Sequence, residues 1–331
     1  MTFADPEASV APILGRGVSQ LAAARLHFTQ MDATEPHALL DPPLPRRLDV
    51  AIVFEATTAV DLPGWLGSTL HGALGHALAA TACSPACRRR HPRRPCAYAT
   101  LFEQPTADGA PEARFAAAAP QTLILRPPPP GAARRLLPGD RLPWAARLVG
   151  PGCDQLGPLL AALELAARTG LGPRRGQLAL RAIEVGAPAT VAPSATWETL
   201  ALRTITPLRL LHDRVLVQRP TPTDLALGAA RRLAALDAHL GPGTFQPTPD
   251  AVRHAVAEVT EVAADWSRFR VDRYSSRQDQ RHAMEGLSGH ATYRGRLGAF
   301  AALLAAASQV GLGKSTSFGF GHFEVAQVGY S

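Results

Sequence analysis

Hydrophobic and polar positions follow the same order in two stretches of this chain. Leu159–Gly186 and Phe300–Gly329 each contain an Ala/Leu-rich helical segment, then Gly-Leu-Gly, a basic turn and an alternating segment ending in Glu-Val. A helix that ends at glycine, followed by a tight turn into a strand, accounts for this order. Because Gly170–Gly172 matches Gly311–Gly313, the repeat predicts two homologous halves.

The rest of each half is consistent with a βαββαβ order, which is the ferredoxin-like arrangement. The predicted class is therefore α+β, with two tandem ferredoxin-like (RRM-like) domains and a C-terminal glycine-rich loop. In the first half the pattern predicts strands at Arg47–Ala59, Gly139–Gly150 and Gln177–Val185, and helices at Leu66–Ala82 and from Leu159. In the second half it predicts extended segments at Thr199–Leu211, Leu287–Tyr293 and Phe318–Val328, and helices at Thr223–Leu240 and Leu297–Ser308.

Domain boundaries follow from composition. Residues 1–46 form an N-terminal extension, and residues 47–190 form the first domain with a cysteine- and arginine-rich insertion. Residues 195–331 form the second domain, after a Pro/Ala-rich linker. The N-terminus lacks the basic and apolar regions of a signal peptide, and no apolar run is long enough to span a bilayer. We therefore expect a cytoplasmic protein with no membrane partner.

The charge of the chain indicates a polyanionic partner. The formal net charge is +7, and Lys314 is the only lysine among 34 basic residues. Arginine binds phosphate bidentately, stacks on bases and keeps its charge. Nucleic acid is therefore the natural candidate, although charge alone would also suit other anionic partners.

The glycine-rich tail, Gly311–His322, contains Gly-Lys-Ser but does not match a nucleotide-binding P-loop. The first glycine of that motif would stand at Ser308, and the predicted order is helix before strand instead of strand before helix. Two interpretations remain: a plain glycine-rich connector, or a backbone nest that lies with Lys314 along an RNA backbone.

Several motifs together resemble a known family. The tail GLGKSTSFGFGHFEV is similar to the C-terminal signature of the RAMP superfamily. LPGWLGSTLHGALGHAL (62–78), CRRRHPRRPCAYATLFE (87–103), TPLRLL (206–211) and MEGLSGHATYRG (284–295) occur in the order typical of the CRISPR-associated pre-crRNA processing endoribonucleases, the sixth Cas family. The resemblance extends over about residues 48–326.

The resemblance implies a double ferredoxin-like fold and cleavage of CRISPR repeat RNA to mature crRNA. It also implies attack by a ribose 2′-hydroxyl without a catalytic metal, products with 5′-hydroxyl and 2′,3′-cyclic phosphate ends, and retention of the product. Implied partners are repeat RNA or crRNA and other Cas effector subunits. Two alternatives stay open: a non-catalytic RAMP subunit that only holds crRNA in an effector complex, and a general RNA-binding protein.

The chemistry requires proton transfer and stabilisation of charge on the phosphorane, for which histidine and basic side chains are suited. His71 and His76 lie on the predicted first helix, where the family usually carries its catalytic histidine. Their spacing puts them about 140° apart on an ideal helix, so we expect only one to face the RNA, with a slight preference for His71. Each could instead be a packing or surface histidine.

Candidate RNA-binding residues come from the polar cluster DRYSSRQ (272–278), the two Gly-Leu-Gly turns and the tail. As an alternative, Arg268, Arg270 and Asp272 could simply form a solvated strand face. His290 and His322 are interpreted as packing or rim residues. The RNA-binding candidates are Arg273, Tyr274, Arg277, Gly311, Gly313, Lys314, Ser315, Arg174 and Arg175.

Three of the four cysteines fall within fourteen residues, in the pattern Cys83-x3-Cys87-x8-Cys96, with His91 between the last two. Zinc takes four nitrogen or sulfur ligands, so a structural Cys3His site is chemically feasible. Because the spacing departs from the usual paired Cys-x2-Cys, simple buried thiols remain the alternative. No cofactor is expected to be required for catalysis.

Overall fold

The structure is a computed structural model and describes residues 37–88, 96–102, 120–188, 197–275 and 280–328. Both predicted halves lie in one compact unit, Glu35–Ser331. The N-terminal extension falls mainly on residues 1–36, which lie outside the described residues.

The first half contains the predicted βαββαβ series with short additions. The helix of residues 67–82 starts at Gly67 with no side-chain cap and carries Leu70, Leu74 and Leu78 at helical spacing on its buried face. The elements are α1 His37–Leu40, β1 Arg47–Ala56, β2 Val60–Leu62, α2 Gly67–Ala82, α3 Pro85–Arg88, α4 Ala97–Phe102, β3 Leu123–Arg126, β4 Arg134–Leu136, β5 Arg141–Val149, α5 Leu156–Thr169 and β6 Leu178–Gly186.

The second half repeats the series. The helix of residues 222–240 begins with a capping box in which the Thr221 hydroxyl accepts from the Asp224 amide and the Asp224 carboxylate accepts from the Thr221 amide. The elements are β7 Thr199–Thr204, β8 Leu211–His212, β9 Val215–Leu216, α6 Pro222–Leu240, α7 Pro249–Ala255, β10 Thr260–Ser275, β11 Gln280–Arg294, α8 Gly298–Val310 and β12 Phe323–Gln327.

The two main sheets have the same topology. Their strand orders are β3-β5-β1-β6 and β10-β11-β7-β12, and every neighbouring pair is antiparallel. In each half this is the ferredoxin-like order, with the fourth strand beside the first. The predicted fold class of two tandem ferredoxin-like domains is therefore confirmed, whereas the predicted domain boundaries stay predictions.

Each sheet packs one face on its own two helices. In β1, Val50, Ile52 and Phe54 alternate with residues of the opposite face and are fully buried against α2 and α5. In β7, Leu200 and Leu202 do the same beneath α6 and α8. Burial of these alternating apolar residues fixes the register of both sheets.

Part of the other face of the first sheet, around Asp49 and Arg147, is buried and contacts the second half. Asp49 accepts hydrogen bonds from Arg147, and the Arg147 Nη2 to Asp49 Oδ2 distance is 2.7 Å. Arg147 also donates to the Gln309 side chain at 3.1 Å, near the end of α8. Arg232 on α6 donates to the carbonyl of Val310. Arg147 therefore pairs within its own sheet and also joins the two halves.

The hairpin of β10 and β11 is longer than the pattern indicates. The prediction covered only Leu287–Tyr293, and Asp272–Gln278 was treated as a polar cluster. In the structure, paired residues extend from Thr260 with Arg294 to Ser275 with Gln280. Arg268 and Arg270 alternate with Phe269 and Val271, as in a strand, so the interpretation of Arg268, Arg270 and Asp272 as a solvated strand face agrees with this hairpin.

One predicted strand ends earlier than expected, and another starts later. The extended segment Thr199–Leu211 is a strand only to Thr204, because Ile205 and Thr206 turn to donate their amides to the His322 carbonyl. The segment predicted as a strand from Phe318 begins at Phe323, since Thr316–Phe318 form a 3-10 turn. In the part of the chain that the structure describes, we find no helix with the length and apolarity to cross a membrane.

Candidate active site

His71 lies in the second turn of α2 and contacts the glycine-rich loop near the other end of the chain. Its Nδ1 lies 3.0 Å from the carbonyl oxygen of Ser317, 246 positions away in the sequence. A carbonyl oxygen only accepts, so Nδ1 must carry the proton. The neutral ring then has its lone pair on Nε2, which is the tautomer that can accept a proton from a substrate.

Two phenyl rings flank this imidazole. The Phe318 ring centroid is 4.0 Å away, and the Phe102 centroid is 4.7 Å away on the other element, α4. Together with the Ser317 carbonyl, these rings fix the orientation of a half-buried His71. Fixed orientation matters because proton transfer needs the two heavy atoms within hydrogen-bond reach.

His76 is exposed, whereas His71 contacts the loop. This agrees with the spacing argument that a single face of α2 presents a histidine to the site. The catalytic roles of His71 and His76 stay predictions.

Close approach of α2 to the loop depends on a glycine. A Cβ on Gly67 would lie 1.9 Å from the carbonyl oxygen of Phe318, so any larger residue would displace the loop. Gly72, one turn further along the same helix, has no atom within 4 Å of the corresponding position. Gly67 therefore positions Ser317 and Phe318 relative to His71.

The loop itself is folded by its own backbone. The Leu312 amide donates to the Gly321 carbonyl at 2.9 Å, and the Lys314 amide donates to the Arg209 carbonyl at 2.9 Å. Gly311 is buried, Gly313 has φ +84° and Ser315 has φ +65°. Because several loop amides are used internally, the exposed Lys314 side chain is the clearest candidate for contact with phosphate. RNA binding by Gly311, Gly313, Lys314 and Ser315 stays a prediction.

A group of cationic side chains adjoins this loop and is called the cationic rim here. Arg209 donates from Nη1 to the Glu285 carbonyl at 2.8 Å, and its own carbonyl holds Lys314. The Glu285 carboxylate lies 2.7 Å from Arg268 and 3.6 Å from Arg270, and the hydrogen bond from Arg268 lowers its pKa. One carboxylate thus faces several cations, and the rim stays positive. The cationic rim consists of Arg209, Arg268, Arg270 and Lys314.

The opposite face of the same hairpin is apolar and docks onto the start of α2. Phe269 packs on Trp65 with ring centroids 5.8 Å apart, and Phe320 packs on Trp65 at 5.2 Å. Met284 completes this cluster and receives a weak hydrogen bond from Ser68 at 3.7 Å. The cluster joins hairpin, loop and α2, and its members are spread too widely along the chain for sequence periodicity to find it.

Other predicted RNA contacts are only partly visible. Arg174 and Arg175 are exposed in the first Gly-Leu-Gly turn, and Arg174 lies 3.6 Å from Asp61. The side chains of Arg273 and Tyr274, and the whole of Arg277, lie outside the described residues. RNA binding by these five residues stays a prediction.

His322, which follows the loop, is a packing residue and has no proton to offer near neutral pH. Its Nδ1 is buried and makes no hydrogen bond in the structure, and burial together with the charges of Arg126 and Arg147 lowers its pKa to about 3. Arg126 is itself buried, which lowers its pKa to about 10, although Asp49 lies 3.9 Å away. His290 is exposed. These placements agree with their interpretation as packing and rim residues.

The three clustered cysteines converge. The Sγ atoms of Cys83, Cys87 and Cys96 all lie within 4.8 Å of one another, whereas Cys153 lies elsewhere, near the carbonyls of Arg46 and Leu148. His91 lies outside the described residues.

Comparison with known proteins gives two family matches and a set of similar structures. Residues 45–204 match a family described as an N-terminal domain, and residues 202–323 match the family "CRISPR-associated endoribonuclease Cas6". No curated protein matches the chain.

Several solved structures that resemble the chain are Cas6 structures. A Cas6 product complex is 20% identical, with a TM-score of 0.52 over 85% of this chain and 100% of that one. A partial Cas6-RT-Cas1–Cas2 complex is 11% identical, with a TM-score of 0.53 over 87% of this chain and 47% of that one. The Cas6 of Thermus thermophilus is 16% identical, with a TM-score of 0.49 over 86% of this chain and 100% of that one.

The chain combines tandem ferredoxin-like domains with a histidine of the first held against a glycine-rich loop of the second. The Cas6 family match covers the second domain, and the similar folds cover most of the chain. The second half of the chain is therefore similar to the Cas6 endoribonucleases.

Proposed function

We propose that this chain cleaves CRISPR repeat RNA by attack of a ribose 2′-hydroxyl on the adjacent phosphate, without a catalytic metal. The observation that carries the proposal is the orientation of His71, whose Nδ1 proton is committed to Ser317 so that Nε2 can exchange a proton. The cationic rim next to the same loop supplies positive charge for phosphate.

The reaction is a transesterification. The 2′-oxygen forms a bond to phosphorus, the bond to the 5′-oxygen breaks, and the products carry a 2′,3′-cyclic phosphate and a 5′-hydroxyl. The proton lost from the 2′-hydroxyl and the proton gained by the 5′-oxygen balance, so a single imidazole can serve in either transfer. Lys314 and the arginines of the rim would bind phosphates of the RNA backbone near the glycine-rich loop.

Binding would combine electrostatics with the shape of the repeat. The rim and the exposed arginines of the first turn contact phosphates, and such contacts release counterions, so affinity should fall steeply with salt. We propose that the cleaved product stays bound, as in the product complex of the similar Cas6 structure. Further Cas proteins are proposed partners, since a similar Cas6 domain occurs in a Cas6-RT-Cas1–Cas2 complex. No membrane partner is proposed.

The test uses the full-length protein with labelled repeat RNA in EDTA, beside the same RNA with a 2′-deoxy residue at the scissile position. We expect cleavage of the first and binding without cleavage of the second. His71→Ala should reduce the single-turnover rate by a factor of about 10² to 10⁴ with little change in RNA affinity. His76→Ala on the exposed side of α2 is the matched control and should cleave normally.

A protein that binds both RNAs and cleaves neither would instead be a crRNA-holding subunit. Normal cleavage by His71→Ala would remove His71 from the mechanism. Cleavage that appears only after addition of magnesium or manganese, and not of zinc, would contradict the metal-independent reaction.

A further inference from the structure

Three separate elements bring three thiols to one place next to the active-site helix. Cys83 ends α2, Cys87 lies on α3, and Cys96 immediately precedes α4. The four cysteines of the chain are present as thiols, and the three clustered Sγ atoms lie within 4.8 Å of one another. Cys87 is further held by its amide, which donates to the Ser84 hydroxyl at 3.1 Å.

The separation of the sulfur atoms suits one tetrahedral ion. A zinc–sulfur bond is about 2.3 Å, so two thiolates on one zinc lie roughly 3.8 Å apart. Shifts of about 1 Å or less would bring the three sulfurs to that distance. We propose that Cys83, Cys87 and Cys96 bind a zinc ion through three thiolates and that this ion positions α4 against α2.

The chemistry of the cluster favours a soft divalent cation. Thiolates are soft ligands that suit zinc, and three thiol sulfurs converge here. The three thiols would lose their protons to solvent as the ion binds. The fourth position of the ion is taken by a ligand other than these three.

The consequence for the active site follows from α4. This six-residue helix carries Phe102, whose ring flanks His71 at 4.7 Å, and Tyr98, which stacks on Phe102 at 5.9 Å. Joining the end of α2 to the start of α4 therefore fixes the Phe102 ring that packs against one side of the His71 imidazole. The ion touches no reacting atom in this proposal, so the three cysteines are positioning residues.

Zinc content tests the site directly and does not depend on the proposed function. The protein is purified with reductant, reconstituted with zinc, freed of excess metal, and analysed for metal per chain. We expect about one zinc in the native protein and a large loss in Cys83→Ser, Cys87→Ser and Cys96→Ser. Cys153→Ser is the matched control and should keep its zinc. When cobalt is used in place of zinc, visible absorption and thiolate charge-transfer bands should appear only in the native protein and in Cys153→Ser.

The positioning role rests on the proposed function and has its own readout. Cys87→Ser should cleave repeat RNA about tenfold more slowly at saturating enzyme, with unchanged RNA affinity and folded circular dichroism, whereas Cys153→Ser should cleave normally. Native protein that takes up no zinc, or equal uptake by all four variants, overturns the site. Zinc bound as expected with normal cleavage by Cys87→Ser overturns the positioning role. If the native protein does not cleave at all, the metal analysis still decides the zinc site.

Discussion

The two Gly-Leu-Gly turns occupy equivalent places in the two halves but differ in length. In the first, Leu171 and Gly176 exchange backbone hydrogen bonds around four residues, 172–175. In the second, the Leu312 amide bonds to the Gly321 carbonyl around eight residues, 313–320. The same closure therefore encloses twice as many residues in the second half.

The longer turn includes the groups that contact His71. Ser317 and Phe318 lie in its 3-10 turn and contact His71, whereas the shorter turn only exposes Arg174 and Arg175. The helix that follows the first strand of each half, α2 or α6, also differs between the halves. α2 carries His71 and ends in the thiol cluster, whereas α6 begins with a capping box and packs as a structural helix. The two halves therefore share a frame and differ in their local additions.

Displacing the longer turn should have the largest effect. In Gly67→Ala the new methyl group would meet the Phe318 carbonyl, which pushes Ser317 and Phe318 away from His71. We expect cleavage to fall by about 10- to 100-fold, because misplacement by about 1 Å has effects of that size. The measurement is the single-turnover rate at saturating enzyme.

The matched control for this change is Gly72→Ala on the same helix, where the added methyl group meets no atom within 4 Å. It should cleave normally and be slightly more stable, since alanine favours helix over glycine by roughly 0.5–1 kcal/mol. Equal loss of cleavage in both variants would contradict the role given to the contact between α2 and the loop.

Equivalent glycines in the two turns should separate folding from function. Gly172 and Gly313 both have positive φ, and a Cβ would lie 2.0 Å from the Asp61 carbonyl oxygen and 2.4 Å from that of Arg209. Alanine at either position should lower the free energy of unfolding by roughly 1–3 kcal/mol, as measured in urea. At a temperature where both variants are folded, only Gly313→Ala should also cleave more slowly. If Gly172→Ala loses as much cleavage, the functional difference between the turns is wrong.

Gln177 follows the first turn and His322 follows the second, and only His322 should make the folding stability depend on pH. Gln177 is exposed, whereas the pKa of His322 is lowered to about 3 by burial and by Arg126 and Arg147. The unfolded chain takes up a proton at this histidine below about pH 6.5, and the folded chain does not until about pH 3. Stability should therefore fall as the pH decreases through this range, by up to about 1.4 kcal/mol per pH unit.

His322→Gln, which copies the first half, removes this proton uptake. Between pH 7 and pH 5 the variant should lose about 2 kcal/mol less unfolding free energy than the native protein, measured in urea at both pH values. An identical loss in the two proteins would mean that His322 titrates normally in the folded state.

Much of the frame could be predicted from the sequence. The repeated helix, glycine turn and strand predicted two ferredoxin-like halves, because glycine at positive φ and alternating burial leave a pattern that survives without alignment. The helix ends were close, with α2 at Gly67–Ala82 and α6 at Pro222–Leu240. The full length of the hairpin was missed because Asp272–Gln278 was interpreted mainly as a polar RNA-binding cluster, although Arg268–Val271 alternate as in a strand.

The site was predicted only in part. His71 was preferred over His76 from its position in a family-like motif, and helical geometry showed that the two face apart. The residues that contact His71 could not be found from the sequence. Ser317, Phe318 and Phe102 are separated from His71 by long stretches of chain, and no periodicity connects them.

The sequence by itself determined local properties: where helices and strands form, where glycine allows the chain to turn, which side chains carry charge, and that three thiols stand near one another along the chain. Only the tertiary structure decided which of these groups meet. The His71 imidazole faces a carbonyl and two rings because α2 and the glycine-rich loop pack together. Burial, together with the charges of Arg126 and Arg147, lowers the pKa of His322. The physical reason is that backbone preference acts over a few residues, whereas burial and electrostatics depend on distances in space.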